Sequence, residues 1–245
     1  VSEAADSAVG QMPLLYRQPR PLQVARHGGT CFVPPPGYGF AARVNSVPLN
    51  AVEFALASRH YPIVFAGAPP HLPLAVLGLQ PDRNAMLDNA GKWAAGAYVP
   101  AYVRRYPFIF LEDQAADRLT LCIDEGANML SNSAGEPLFV DGEPSAFVKR
   151  ATEFCATFHR QHVATRGFAE ALLAHDLLVE KTATAKLPGG QEVQLAGFRQ
   201  VDEARFSALP DDTFLDWRAK GWLPLVYFHL VSVHNWGLLA ERTAN

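Results

Sequence analysis

Apolar positions along the chain change period midway. Between residues 62 and 125 they come in short blocks: "PIVFAG" (62–67), "LPLAVLGL" (72–79), "NAMLD" (84–88), "PFIFLED" (107–113) and "RLTLCIDE" (118–125). Turn formers such as Asn89-Ala90-Gly91 divide them. Blocks of this length and composition predict strands, and their close spacing favours antiparallel neighbours over βαβ crossovers. From Pro144 the period lengthens. Phe147, Ala151, Phe154, Cys155 and Phe158 recur at three- and four-residue steps, one face of a helix. A second helix is expected over "GFAEALLAHDLL", then a hairpin around Pro188-Gly189-Gly190. Short capped helices follow over "VDEARFSAL" and "PDDTFLDWRAK", the latter stopped by Gly221. Ahead of the strands, Asn45 or Ser46 is expected to cap a helix over "PLNAVEFALASRH", with Pro48 near its first turn.

The pattern is that of an α+β fold: a single domain with a mid-chain, mainly antiparallel sheet packed against C-terminal helices. Its expected extent is 41–245. Residues 1–40, including "CFVPPPGYGF", read as a disordered or extended Pro/Gly-rich segment.

The most apolar stretch is "GWLPLVYFHLVSVHNW" (221–236). Its apolar run, Trp222 to Val233, is well short of the ~20 residues that cross a bilayer, and Pro224, His229, His234 and Asn235 oppose insertion. No transmembrane segment is expected. As a helix from about Pro224, it places His229, Ser232, Asn235 and Trp236 along one side, with apolar residues around the rest. A helix apolar on nearly every side is expected to be buried. Each polar group of that stripe then needs a partner, in a packing network or at a pocket wall.

Composition narrows the function classes. The chain is 49% hydrophobic and 18% charged, with a formal net charge of -3. Its longest basic cluster is Arg104-Arg105, too little to track phosphates, so no nucleic acid partner is expected. Cys31, Cys122 and Cys155 are odd in number and far apart, which reads as buried free thiols in a reducing compartment. The N-terminus lacks a basic and apolar leader pattern, so a cytoplasmic location is expected.

Five motifs in order, "LNAVEFALASRHYPIVF", "GKWAAGAYVPAYVRRYPFIF", "LTLCIDE", "GEPLF" and "GWLPLVYFHLVSVHNW", resemble the SapC family of bacterial proteins. The resemblance covers about residues 41 to 242. The family name implies an association with a surface-layer locus and supplies no catalytic mechanism. The resemblance thus implies a non-enzymatic accessory or binding protein.

Candidate chemistry centres on two places. In "YVPAYVRRYPFIFLED", Tyr98 and Tyr102 share a side, with Arg104 and Arg105 next to them. Hydroxyls beside a planar guanidinium suit a carboxylate, whereas the structural alternative pairs an arginine with Glu112, Asp113 or Asp124. His159 and His162 have a metal-compatible spacing but lack further ligands, so no metal and no cofactor are expected. The leading expectation is a binding or accessory protein for a protein partner or a small acidic or aromatic metabolite, with homo-oligomerisation compatible. Its ligand-binding candidates are Tyr98, Tyr102, Arg104, Arg105, Ser232, Asn235 and Trp236. The alternative is a small-molecule enzyme with His60 and His229 as acid–base groups and an arginine as anion anchor. That alternative requires the two histidines to converge on one pocket.

Overall fold

The computed structural model describes residues 12–113, 118–186 and 192–244. Strand β1 (Pro19–Pro21) opens the described chain, and β2 (Ser46–Pro48) follows. A 3-10 turn (Ala51–Glu53) runs into the short helix α1 (Phe54–Ala57), then β3 (Ile63–Ala66) and β4 (Pro73–Val76). Next come α2 (Ala101–Arg104), β5 (Phe108–Asp113) and β6 (Arg118–Asp124). The C-terminal half holds α3 (Ala146–Ala174), β7 (Leu178–Lys186), β8 (Glu192–Val201), α4 (Glu203–Ser207), α5 (Asp211–Ala219), α6 (Leu223–Ser232) and α7 (Asn235–Ala244). The fold is α+β, as the pattern of periods predicts.

The central sheet has strand order β7-β8-β3-β4-β2, with antiparallel neighbours throughout. Its two middle strands read as unbroken apolar runs because both faces are covered. Ile63 and Phe65 point into the main core with Phe168 and Trp217. Val64 and Ala66, on the opposite face, pack with Leu195, Phe198 and Leu239. Period-two alternation sorts one strand between two helical layers. A second sheet, β1-β6-β5, carries the chain ahead of residue 41: Pro19 pairs with Asp124, and the Tyr16 hydroxyl donates to the Phe108 carbonyl at 2.7 Å.

Several expected elements differ. Residues 46–48 form an edge strand, where a proline costs no ladder bond, and the helical turn starts later at Asn50. Glu53 reaches back to the Asn50 N–H at 2.9 Å, the reciprocal half of a capping box. "NAMLD" makes only an isolated bridge, Leu87 to Trp93. The two helices expected after Pro144 are one helix of 29 residues, N-capped by Ser145. Gly167 does not break it: an interior glycine costs about 1 kcal/mol, less than the burial of Phe168, Ala169 and Leu172 around it contributes. The expected hairpin pairs β7 with β8, and its Pro188-Gly189-Gly190 turn lies outside the described residues, as do residues 1–11.

The C-terminal run is two helices, not one. Ser232 ends α6, its hydroxyl donating back to the His229 carbonyl at 2.6 Å, and α7 begins at Asn235. Nor is α6 buried all round: Tyr227 and Val231 are 51% and 59% exposed. Among the described residues no helix is long and apolar enough to cross a membrane.

Candidate functional site

The bend from α2 into β5 is built on a buried carboxylate. Glu53 accepts hydrogen bonds from the Ala101 N–H at 2.7 Å and the Tyr98 hydroxyl at 2.8 Å, besides that from Asn50. Burial pushes its carboxyl above the usual range, and these donors pull against that shift. Glu53 thereby fixes the first turn of α2 and the tyrosine beside it.

Arg104 is exposed and folds back over this turn. Its Nε donates to the Val99 carbonyl at 3.0 Å and its Nη2 to the Tyr98 hydroxyl at 3.1 Å. The guanidinium also lies 5.2 Å from the Phe154 ring centroid. Burial pushes the Tyr98 hydroxyl up to about 12, so it serves as a neutral bridge between Glu53 and Arg104.

Arg105 points the other way, between rings. Its guanidinium sits 4.2 Å from the centroids of both Tyr102 and Phe158, and 5.9 Å from Tyr16. It hydrogen-bonds the Tyr16 and Tyr102 hydroxyls, which themselves donate to the Phe108 and Leu14 carbonyls. The Nε atom is enclosed and makes no hydrogen bond. No carboxylate pairs with this cation among the described residues.

The structural alternative for Arg105 therefore does not hold at Asp124. That carboxylate is fully buried and occupied by the backbone N–H groups of Arg17, Gln18 and Gly126 and by the Tyr106 hydroxyl. Its neighbour Glu125 pairs with Arg26 and lies 3.2 Å from His27 Nε2. The side chains of Glu112 and Asp113 lie outside the described residues.

Arg104 and Arg105 both line a cavity of about 220 Å³. Its walls are Phe32, Phe108, Phe147 and Phe154, and Arg150 of α3 joins the two arginines. Arg150 also reaches Glu136 at 3.1 Å, an exposed pair of little energetic weight. The cavity thus combines apolar walls with three arginines on its lining, a composition that suits a small anion. Phe147 and Phe154 were expected on the apolar face of a helix. Their cavity role was not legible, because it depends on strand β5 and Phe32 approaching from far along the chain.

The C-terminal stripe is different in kind. His229 is 0% exposed, and its Nε2 accepts from the Val201 N–H at 3.0 Å, which puts the proton of the neutral ring on Nδ1. Burial lowers its pKa to about 4, with the Ile63 backbone beside the ring pulling weakly the other way. The Ser232 hydroxyl accepts from the Ile63 N–H at 2.9 Å. The Asn235 amide donates to the Ser58 and Tyr61 carbonyls at 2.7 and 3.1 Å. Trp236 packs on Phe198, with 5.7 Å between ring centroids. These groups fasten α6 and α7 to β3, β8 and the end of α1.

His60 stands elsewhere, on a second cavity of about 230 Å³ with Arg59, Met86, Leu238, Glu241 and Arg242. His229 lines neither cavity, so the two histidines do not converge on one pocket. His162 stacks on Phe158, and among the described residues no cluster of three His, Cys, Asp or Glu side chains is arranged for a metal ion. Burial pushes the Cys122 and Cys155 thiols up to about 11, and all three cysteines are unbridged.

No curated protein and no solved structure matches the chain significantly. A family model, SapC, matches residues 22–239, which covers the first cavity, the Arg104-Arg105 bend and the C-terminal helices as far as the first half of α7. The chain belongs to the SapC family.

Proposed function

We propose that this SapC family member is a non-enzymatic binding protein whose Arg105 cavity takes a small aromatic carboxylate. One observation carries the reading: a guanidinium packed among Tyr16, Tyr102 and Phe158 has, among the described residues, no anionic partner, and its enclosed Nε makes no hydrogen bond. A cation–π stack returns roughly 0.5–2 kcal/mol. Withdrawing a charge from water without a counter-charge costs several kcal/mol, so the rings do not fully compensate it. A carboxylate entering the cavity supplies the missing charge, and the four phenylalanines suit the ring that carries it. The volume, about 220 Å³, limits the ligand to one ring system with a short acidic arm.

The test is calorimetric titration with benzoate, phenylacetate and indole-3-acetate, with benzamide as the uncharged control. Binding of at least one acid, none of the amide, and loss of binding in Arg105→Leu support the reading. Equal binding of benzamide, or acid binding unchanged in Arg105→Leu, overturns it. The acid–base alternative has no common cavity for His60 and His229 to favour it.

A further inference from the structure

The cavity at His60 is a separate place with its own chemistry. Arg59 and His60 lie in the turn that ends α1, and Leu238, Glu241 and Arg242 are on α7. Positions 238, 241 and 242 fall on one helical face by their three- and four-residue spacing. The fold therefore brings three cation-capable side chains, two from residues 59–60 and one from near the C-terminus, around one hollow of about 230 Å³. Arg59 and Arg242 make no ion pair among the described residues. Glu241, the one carboxylate on the lining, already has an interaction of its own. Met86 and Leu238 give the hollow an apolar side, and the Met86 segment adds no charge to the lining.

We propose that Arg59, His60 and Arg242 form an oxyanion site for a phosphate group, distinct from the Arg105 cavity. Two guanidiniums and an imidazolium arranged around a hollow match a tetrahedral dianion, whereas a single carboxylate needs only one bidentate arginine. Arg59, Arg242 and a protonated His60 outnumber Glu241 on the lining, so a counter-ion relieves the excess of positive charge that the empty site carries. Burial first, and then Arg59 and Arg242, hold the His60 imidazole below its ordinary pKa in the empty site. A bound dianion reverses the last two influences, so binding takes up a proton and strengthens as pH falls.

Sulfate is the clean probe, because its charge does not change between about pH 8 and about pH 5.5, where an ordinary histidine titrates. The expected result is a sulfate Kd that falls about tenfold across that range in the parent protein, with the His60 ring resonances shifting on binding. Arg59→Gln and Arg242→Gln each raise the Kd about tenfold or more at the acid end. His60→Gln keeps binding but flattens its pH dependence. A parent Kd that does not vary with pH, or that is the same in Arg59→Gln and Arg242→Gln, overturns the proposal. Arg59 and Arg242 are exposed, so melting temperatures of these variants should match the parent and keep folding out of the result. Glycerol 3-phosphate separates the sources: binding tighter than inorganic phosphate identifies an organic phosphate, and equal binding a free ion.

Discussion

The stripe on α6 and α7 and the bend at α2 both bury polar side chains against aromatic rings and both leave a ring or guanidinium nitrogen unbonded, but only at the bend is the unbonded group a charge. Ser232 and Asn235 use every observed bond on backbone groups, and the neutral His229 ring accepts from the Val201 N–H at Nε2 while its enclosed Nδ1 makes no hydrogen bond. Those bonds do a packing job: they fix helices to strands. At the bend, Glu53 is likewise filled, by two backbone N–H groups and the Tyr98 hydroxyl, whereas Arg105 has no counter-charge among the described residues. A polar group whose partners are all backbone belongs to the fold, and a charge left without a counter-charge points outward to a ligand.

The largest effect should come from the most heavily bonded of these groups. Glu53→Ala strips acceptors from two backbone N–H groups and from the Tyr98 hydroxyl. Each unpaired buried donor costs about 1–3 kcal/mol, so the loss should be on the order of 3 kcal/mol or more. Urea unfolding measures it directly. A loss below about 1 kcal/mol would mean that water replaces the carboxylate and that the bend is not built on Glu53.

His229→Leu comes next and probes the stripe. It leaves the Val201 N–H buried without an acceptor, at about 1–3 kcal/mol near neutral pH. Its pH profile is the sharper reading. The folded imidazole, with a pKa lowered from the usual 6.5 to about 4, binds its proton less tightly than the unfolded one. Between those values the unfolded chain takes up more protons, so stability due to the neutral ring is complete above about pH 6.5 and is lost as pH falls towards 4. The parent should lose roughly 2–4 kcal/mol from this group across that window, and the variant should lack that slope. Parallel acid profiles would show that His229 does not titrate as a buried neutral ring.

The same comparison explains what could be read from the sequence. The strands at 63–66 and 73–76 were legible because a sheet covered on both faces writes an unbroken apolar run between turn formers. The neighbourhood of Tyr98, Tyr102, Arg104 and Arg105 was legible because they flank one helical turn, but the turn splits them into Tyr98 with Arg104 and Tyr102 with Arg105 instead of gathering all four. Glu53 carries its own sequence signal, since Asn50 and Glu53 stand at capping-box spacing. Pro48 misled instead, since a proline suits both a helix start and an edge strand. Arg150, Phe147 and Phe154 reach the bend from α3, and Arg242 reaches His60 from α7. Approaches of that kind are set by tertiary packing, and no local period encodes them.

Arg105→Leu should have the smallest effect on stability, and for that reason it separates the two regions most clearly. The substitution removes cation–π stacks onto Tyr102 and Phe158 and hydrogen bonds to two tyrosine hydroxyls. Both hydroxyls keep their own acceptors, the Phe108 and Leu14 carbonyls, so no donor is stranded. It also removes a cation without an anionic partner, and replacing such charges by apolar side chains is often neutral or stabilising. The net change in unfolding free energy should lie within about 1 kcal/mol of zero, a shift of no more than about 4 °C at this chain length. A fall as deep as that of Glu53→Ala would place Arg105 with His229 and Asn235 as part of the packing. A near-zero change, with carboxylate binding abolished in the same variant, would leave recognition as the reason the guanidinium is there.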